Sequence, residues 1–253
     1  MIYVYYRHYR EDLYFSTSRD PNKVRPIYYS PSLCLFSILD SIRSNSLREY
    51  FRVVIWYDGS QEDFDGDPIN IVLAKFVNDI YIFKIRKNFR GMGDNSAEKI
   101  SAPALLQYCA NNHSDGDFVY LVENDYLHDL QSMTILKILS ESETQFHYAT
   151  LYDAPDYYRL NMHLKFRGNS VLIGGLPWRE VLTTTGTYFT SAKILKEDLG
   201  ALLHTADFYS FVKLVGLRAR VLIAPYYSLA SHSMIGQESP IRTSNYTIGK
   251  YSE

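Results

Sequence analysis

Residues 118–127, FVYLVENDYL, pass from five consecutive apolar side chains directly to Glu123, Asn124 and Asp125. An apolar run without alternation, closed by polar residues, reads as a strand buried on both faces, the kind a parallel sheet contains. Such a strand ends on acids for one of two reasons. It runs into a solvated turn, or it delivers carboxylates to a cation and a phosphate. Glu123 and Asp125 are two residues apart and face the same way along an extended segment, while Asn124 between them suits a turn.

Two further runs upstream have the same character. VVIWYDGS, residues 53–60, is a buried strand broken by Asp58-Gly59-Ser60, and IYIFKIR, residues 80–86, is another strand. Ile2–Tyr6 forms the first strand, and a polar loop, RHYREDLYFSTSRDPNKVRP, follows it. A helix then begins with Ser30 as cap and Pro31 at its first position, carries Leu33, Phe36, Leu39 and Ile42 on one face, and ends at Asn45 and Ser46. The loop KNFRGMGDNS precedes a helix with Ile100, Leu105, Tyr108 and Cys109 on one side. Strand, helix, strand, strand, helix, strand in this order predicts a βαβ-built, mostly parallel sheet with its ligand site at the carboxyl ends of the strands.

The second half is less regular. It reads as a helix from about Leu130 to Leu139, a strand over HYATLYD, hairpin or edge strands within SVLIGGLPWREVLTTTGTYFTSAKIL, a helix DFYSFVKLV stopping at Gly216, and a strand RVLIAP. No repeat or linker divides the 253 residues, which suit one α/β domain. The regular βαβ half covers residues 1–125, and the less regular half with its tail covers 126–253.

A net charge of -2 gives no global pull toward nucleic acid or anionic membrane. Cys34 and Cys109 lack the spacing of a disulfide framework or zinc site, which suggests a reducing, cytoplasmic setting. No apolar run is long enough to span a membrane, so no integral membrane association is expected. The 23 tyrosines suit sugar or base stacking as well as an ordinary core. GMGDNS lacks the third glycine of a dinucleotide loop, and GxxxxGK[ST], HExxH and GxSxG do not occur.

Taken in order, VVIWYDGS, RGMGDNSAEKISAPALL, FVYLVENDYL, TTTGTYFTSAKIL, ADFYSFVKLVGLRARVLIAP and SLASH resemble the family-2-like glycosyltransferases of the GT-A fold, from Ile2 to about His232. Three positions depart from that family's pattern: Tyr57 stands where an aspartate precedes DGS, Glu-Asn-Asp replaces Asp-x-Asp, and Ala206 replaces the Glu of an ED pair. The resemblance implies a single GT-A-like α/β domain of the nucleotide-diphospho-sugar transferase type, with a mixed, mostly parallel central sheet flanked by helices, in which residues 1–125 are the nucleotide-binding half and 126–253 the acceptor-binding half and C-terminal tail. It implies transfer from a nucleotide-diphosphate sugar, UDP-linked by preference, to a hydroxyl acceptor, a glycan ahead of a protein, a small molecule or a modified nucleic acid.

On the same basis Asp58, Tyr6 and Arg7, with His8 beside them, line the base and ribose pocket, and Glu123 and Asn124 belong to the donor site. Asp125 and His232 hold Mn²⁺ or Mg²⁺, a hard cation that neutralises the departing diphosphate; the imidazole favours manganese. Asp207 opens a helix as the general base of an inverting displacement, a role compatible with simple capping. Arg90, Asn95 and Lys99 reach the diphosphate or ribose. Asp153, Trp178 and Arg179 bound the acceptor cleft, with Asp156, Tyr157 and Tyr158 beside them. Two other readings stay open: a nucleotidyltransferase-like or sugar-phosphate-processing α/β enzyme, and a catalytically silent binding module that keeps the fold.

Overall fold

A computed structural model describes residues 1–9, 24–87, 89, 100–203 and 207–239, with Asp207 described in its backbone only. Its centre is a nine-stranded sheet in the order β3-β2-β1-β4-β9-β6-β10-β8-β7. The strands are β1 (Ile2–His8), β2 (Phe51–Asp58), β3 (Ile82–Lys87), β4 (Phe118–Glu123), β6 (Tyr148–Ala149), β7 (Ser170–Ile173), β8 (Leu176–Glu180), β9 (Tyr188–Ser191) and β10 (Leu222–Pro225). A separate two-stranded ribbon pairs β5 (Tyr126–His128) with β11 (Ala230–His232). The pairings make every strand of the large sheet run one way except β9 and β8, so the sheet is mixed and mostly parallel.

The chain leaves β1 through α1 (Pro31–Ser44) to reach β2 on one side, and leaves β3 through α4 (Ala102–Asn112) to reach β4 on the other. Right-handed crossovers in opposite directions place their helices on opposite faces of the sheet. Accordingly α1 packs with α3 (Ile69–Phe76) and α5 (Ser132–Glu141), whereas α4 packs with α7 (Ala192–Leu203), which packs with α8 (Asp207–Arg218). Strands β1, β2 and β4, covered on both faces, supply Val4, Tyr5, Tyr6, Val53, Ile55, Val119 and Tyr120 to the core. Burying each such side chain stabilises the fold by about 1.5–3 kcal/mol. The strand order turns back between β1 and β4, and at such a switch point the carboxyl ends splay open into a crevice.

Several boundaries differ from the sequence reading. Strand β1 extends to His8, because Arg7 and His8 still pair with Trp56 and Tyr57. Pro31 takes the first helical position of α1, but Ser30 makes no capping hydrogen bond through its side chain. Ser60 is a cap: its hydroxyl accepts from Asp63 N–H at 3.0 Å, and Asp63 returns a bond to Ser60 N–H at 2.9 Å, opening α2 (Gln61–Asp65). HYATLYD contributes only Tyr148–Ala149 to the sheet. The β7–β8 hairpin forms as expected, its turn made by Gly174 and Gly175 at φ of 59° and 77°. Helix α8 runs through Gly216 to Arg218 and is followed by Ala219 at φ 52°. The segment after TYFTS is a helix, α7, rather than more strand.

Candidate functional site

The open edge is formed by the carboxyl ends of β1, β2 and β4, the loop entering β9, and the β5–β11 ribbon. At the switch point Arg7 and Glu123 are register partners across β1 and β4, and their side chains form an ion pair. Gly186, at φ +68°, lies against that pair. A Cβ there would collide with Glu123 Oε2 and stand 3.2 Å from the Tyr126 ring, so only glycine fits. Arg7, Glu123, Gly186 and Tyr188 line a shallow cleft floored by Leu105 and Leu121.

Beneath this cleft is a buried polar chain. Asn124 Nδ2 lies 3.1 Å from His8 Nδ1, which therefore accepts, leaving Nε2–H to donate to Asp67 Oδ2 at 2.9 Å. Tyr57 donates to the same oxygen at 3.2 Å, and Ile69 N–H donates to Asp67 Oδ1 at 3.0 Å. Tyr57 thus holds Asp67 from inside the core. The chain ties the end of β1 to the turn after β4, fixing the backbone from which Glu123 and Asp125 project.

Asp125 sits where β5 leaves that turn, and the ribbon brings β11 beside it: Tyr126 pairs with His232, and Ser233 N–H donates to Asp125 O at 2.7 Å. His232 Nε2 is 3.1 Å from Asp125 Oδ2, and its ring stacks on Tyr126 at 4.7 Å with 4° between planes. Arg25 Nη1 reaches the same Oδ2 at 2.9 Å. Burial pushes the Asp125 pKa upward, but the hydrogen bond and charge of His232, joined by the Arg25 guanidinium, outweigh it and lower the pKa to about 2. Its other oxygen, Oδ1, is buried without a hydrogen-bond partner.

Asp58 repeats that feature on β2. Its Oδ1 accepts from Phe89 N–H at 3.0 Å, while Oδ2 is buried without a hydrogen-bond partner. Burial raises its pKa, against the Phe89 N–H and the Arg7 charge. Buried polar atoms in folded proteins are nearly always satisfied. Two carboxylate oxygens, at the end of β2 and in the turn after β4, are thus buried without a partner.

No family model and no curated protein sequence matches the chain. Solved structures do match. GalNAc-T7, solved with UDP, GalNAc and Mn2+, aligns over 94% of this chain and 45% of its own, with TM-score 0.53 and 8% identity. A mannosyltransferase from Pyrobaculum calidifontis, solved with GDP-Man and Mn2+, aligns over 88% of this chain and 54% of its own, with TM-score 0.51 and 12% identity. The chain has a GT-A-like fold. It spans about half the length of each of these two structures.

Within the GT-A-like fold the site residues expected from sequence divide into four groups. Arg7, Asp58, Glu123, Asp125 and His232 gather at the open edge, with Asp125 and His232 in direct contact. Tyr6, Asn124 and Trp178 turn inward. Tyr6 is fully buried and donates to Pro31 O at 2.7 Å; Asn124 is 4% exposed and bound to His8; Trp178 is fully buried, its Nε1 donating to Ile173 O at 3.4 Å. Arg90, Asn95 and Lys99 lie outside the described residues, as does the side chain of Asp207, whose backbone opens α8.

Asp153 and Arg179 form a half-sheltered cluster of their own. Arg179 Nη2 bonds Asp153 Oδ1 at 2.5 Å, Tyr158 donates to Asp153 Oδ2 at 2.9 Å, and the guanidinium lies 4.5 Å from the Tyr158 ring centroid and 5.1 Å from that of Tyr226. Burial raises the Asp153 pKa, against the Tyr158 hydroxyl and Arg179. The cluster adjoins the site through Tyr152, whose ring meets His232 edge-on.

Sequence reasoning missed Arg25, Asp67 and the reason for Gly186. TTTG displayed the glycine but not the carboxylate above it. Arg25 stands 100 positions from Asp125 in the chain, and no periodicity links them. Among the described residues no group of three or more His, Cys, Asp or Glu side chains is arranged to hold a metal, and no helix is long and apolar enough to cross a membrane.

Proposed function

We propose that this chain is a metal-dependent glycosyltransferase that moves a sugar from a nucleotide-diphosphate donor, UDP-linked by preference, to a hydroxyl acceptor. The observation that carries the reading is the pair of buried, incompletely bonded carboxylates, Asp58 and Asp125, at the switch-point edge of a GT-A-like sheet. Asp58 accepts from the nucleoside, and Arg7 faces the diphosphate once Glu123 shares it.

The residues fit a divalent ion of one particular kind. Asp125 Oδ1 is buried without a hydrogen-bond partner and His232 Nε2 lies 3.1 Å from the other oxygen of the same carboxylate, giving two protein ligands rather than a closed cage. Ions of this class are commonly held by one or two carboxylates, with substrate phosphates and water supplying the rest. Asp125 and His232 would hold the ion, and when bound it supplies positive charge for the departing diphosphate. The imidazole favours Mn²⁺ over Mg²⁺.

Asp207 is assigned as the base that takes the acceptor hydroxyl proton as that oxygen attacks the anomeric carbon, inverting it. Asp153 and Arg179 bound the acceptor, most simply a glycan, whose hydroxyls suit a carboxylate and a guanidinium. Arg90, Asn95 and Lys99 are assigned to the diphosphate and ribose.

One observation favours a silent binding module: Glu123 and Asp125 are both ion-paired with arginines. A donor panel separates the two readings. The protein is incubated with nucleotide sugars and Mn²⁺, and released nucleoside diphosphate is measured. Release that stops with chelator and in Asp125→Ala supports the transferase. Zero release from every donor, with no nucleotide-induced rise in melting temperature, rules it out.

A further inference from the structure

The segment 24–29 is stitched across the Asp125 end of the site. Ile235 N–H donates to Val24 O at 2.9 Å, Tyr28 reaches Glu238 Oε1 at 3.5 Å, and Arg25 Nη1 donates to Ser233 O at 3.0 Å, just beyond β11. The Arg25 guanidinium rests over the Tyr29 ring at 4.6 Å. Its Nη1 also stands 2.9 Å from Asp125 Oδ2, the oxygen that faces His232 Nε2 at 3.1 Å.

Both partners of that ion pair are largely sheltered, with side chains 13% and 10% exposed. A guanidinium therefore already stands on the carboxylate that a cation held by Asp125 and His232 would use. A guanidinium on one oxygen of a sheltered carboxylate and a divalent ion on the other repel each other strongly, and that repulsion weakens the binding of the ion.

We propose that Arg25 is a built-in competitor of the divalent ion at Asp125. The ion loads only as Arg25 lets go, and the released guanidinium moves to the nucleotide diphosphate that arrives with it. This rests on the transferase reading above and adds an order to it: metal alone binds weakly, and metal and diphosphate bind cooperatively. A diphosphate is the natural second partner, since guanidinium pairs with phosphate oxygens in a two-pronged geometry. Coupling of this kind is reciprocal, so the ion tightens nucleotide binding by the factor by which nucleotide tightens the ion.

The test is a Mn²⁺ titration of the full chain followed by electron paramagnetic resonance, with and without UDP. Arg25→Met should bind Mn²⁺ alone about tenfold more tightly than the unaltered chain, the factor that ~1.4 kcal/mol represents. The tightening that UDP confers should shrink by a similar factor. Mn²⁺ affinity unchanged or weakened in Arg25→Met overturns the proposal while leaving the metal site standing. Mn²⁺ bound by neither protein, even with UDP, overturns the metal site and this proposal together. The unaltered chain offers a check independent of the variant's folding: the guanidinium NMR resonances of Arg25 should move when Mg²⁺ and UDP are added together. Resonances that stay in place at saturation also overturn it.

Discussion

Gly186→Ala tests the construction of the site with one methyl group. At φ +68° a non-glycine residue costs about 1–2 kcal/mol from backbone sterics alone. The new Cβ also meets Glu123, with Oε2 in collision and Cδ at 3.0 Å. That carboxylate is the far end of a flexible side chain, but Arg7 holds it and the Tyr126 ring, 3.2 Å from the new Cβ, closes the other side. Displacing Glu123 from Arg7 adds about 1 kcal/mol, the scale of a partly exposed ion pair. The sum is about 2–3 kcal/mol, and for a domain of this size that lowers Tm by about 4–12 °C. Differential scanning calorimetry on Gly186→Ala, Glu123→Ala and the double variant measures it. Removing Glu123 relieves the collision, so the double variant should be more stable than additivity predicts by about 1 kcal/mol. A Gly186→Ala melting temperature equal to that of the unaltered chain, or strictly additive losses, would refute this reading of the glycine.

His128 is fully buried between Tyr120, whose hydroxyl is 2.7 Å from Nε2, and Tyr126 O, 3.0 Å from Nδ1, and burial lowers its pKa to about 3 against the Tyr126 carbonyl. The unfolded chain binds that proton first, so stability falls as pH drops from about 6.5 toward about 3, by up to ~1.4 kcal/mol per pH unit. Urea titrations across that window should show a slope smaller by one proton in His128→Gln; identical slopes would contradict the assignment. Asp198, fully buried under Arg220, Arg218 and the Tyr148 hydroxyl, is the second target. Asp198→Ala should cost about 3–5 kcal/mol in chemical denaturation, because it strands buried partners, and a loss below about 1 kcal/mol would show the network to be solvated. Asp207→Asn should lower turnover by about 10²–10⁴-fold with donor affinity kept; near-normal turnover ends its assignment as base.

The parallel half of the fold was legible because its strands are buried on both faces, so VVIWY and FVYLV stand out as unbroken apolar runs. The order of motifs then located the open edge, and the acids at the ends of those runs do converge there. What failed was the facing of single aromatic residues. Tyr6 lies on a strand whose two faces are both covered, so its alternation carries no sign of which side holds a ligand, and Trp178 is the one buried residue of a strand whose other residues are partly exposed. Helix α7 carried its signal in Ala192, Leu195, Leu199 and Leu202, but it begins without a break from strand β9, and the threonine alternation before it extended the strand reading. Strand β6 shrank to two residues because the chain leaves it through Thr150, whose hydroxyl accepts from Tyr152 N–H at 3.2 Å. The partners of Asp125 were hidden for a different reason. Arg25 and His232 reach it from segments 100 and 107 positions away in the chain, through contacts that no local pattern announces.

Everything functional in this account depends on a nucleotide diphosphate and a cation meeting at the carboxyl ends of β1, β2 and β4. The most direct measurement is a crystal structure grown with UDP and Mn²⁺, with the ion located by its anomalous signal. The account predicts manganese bonded to Asp125 and His232, diphosphate oxygens completing its shell, and the nucleoside against Asp58. UDP seated away from this edge, or seated here with no ion touching Asp125, would contradict it.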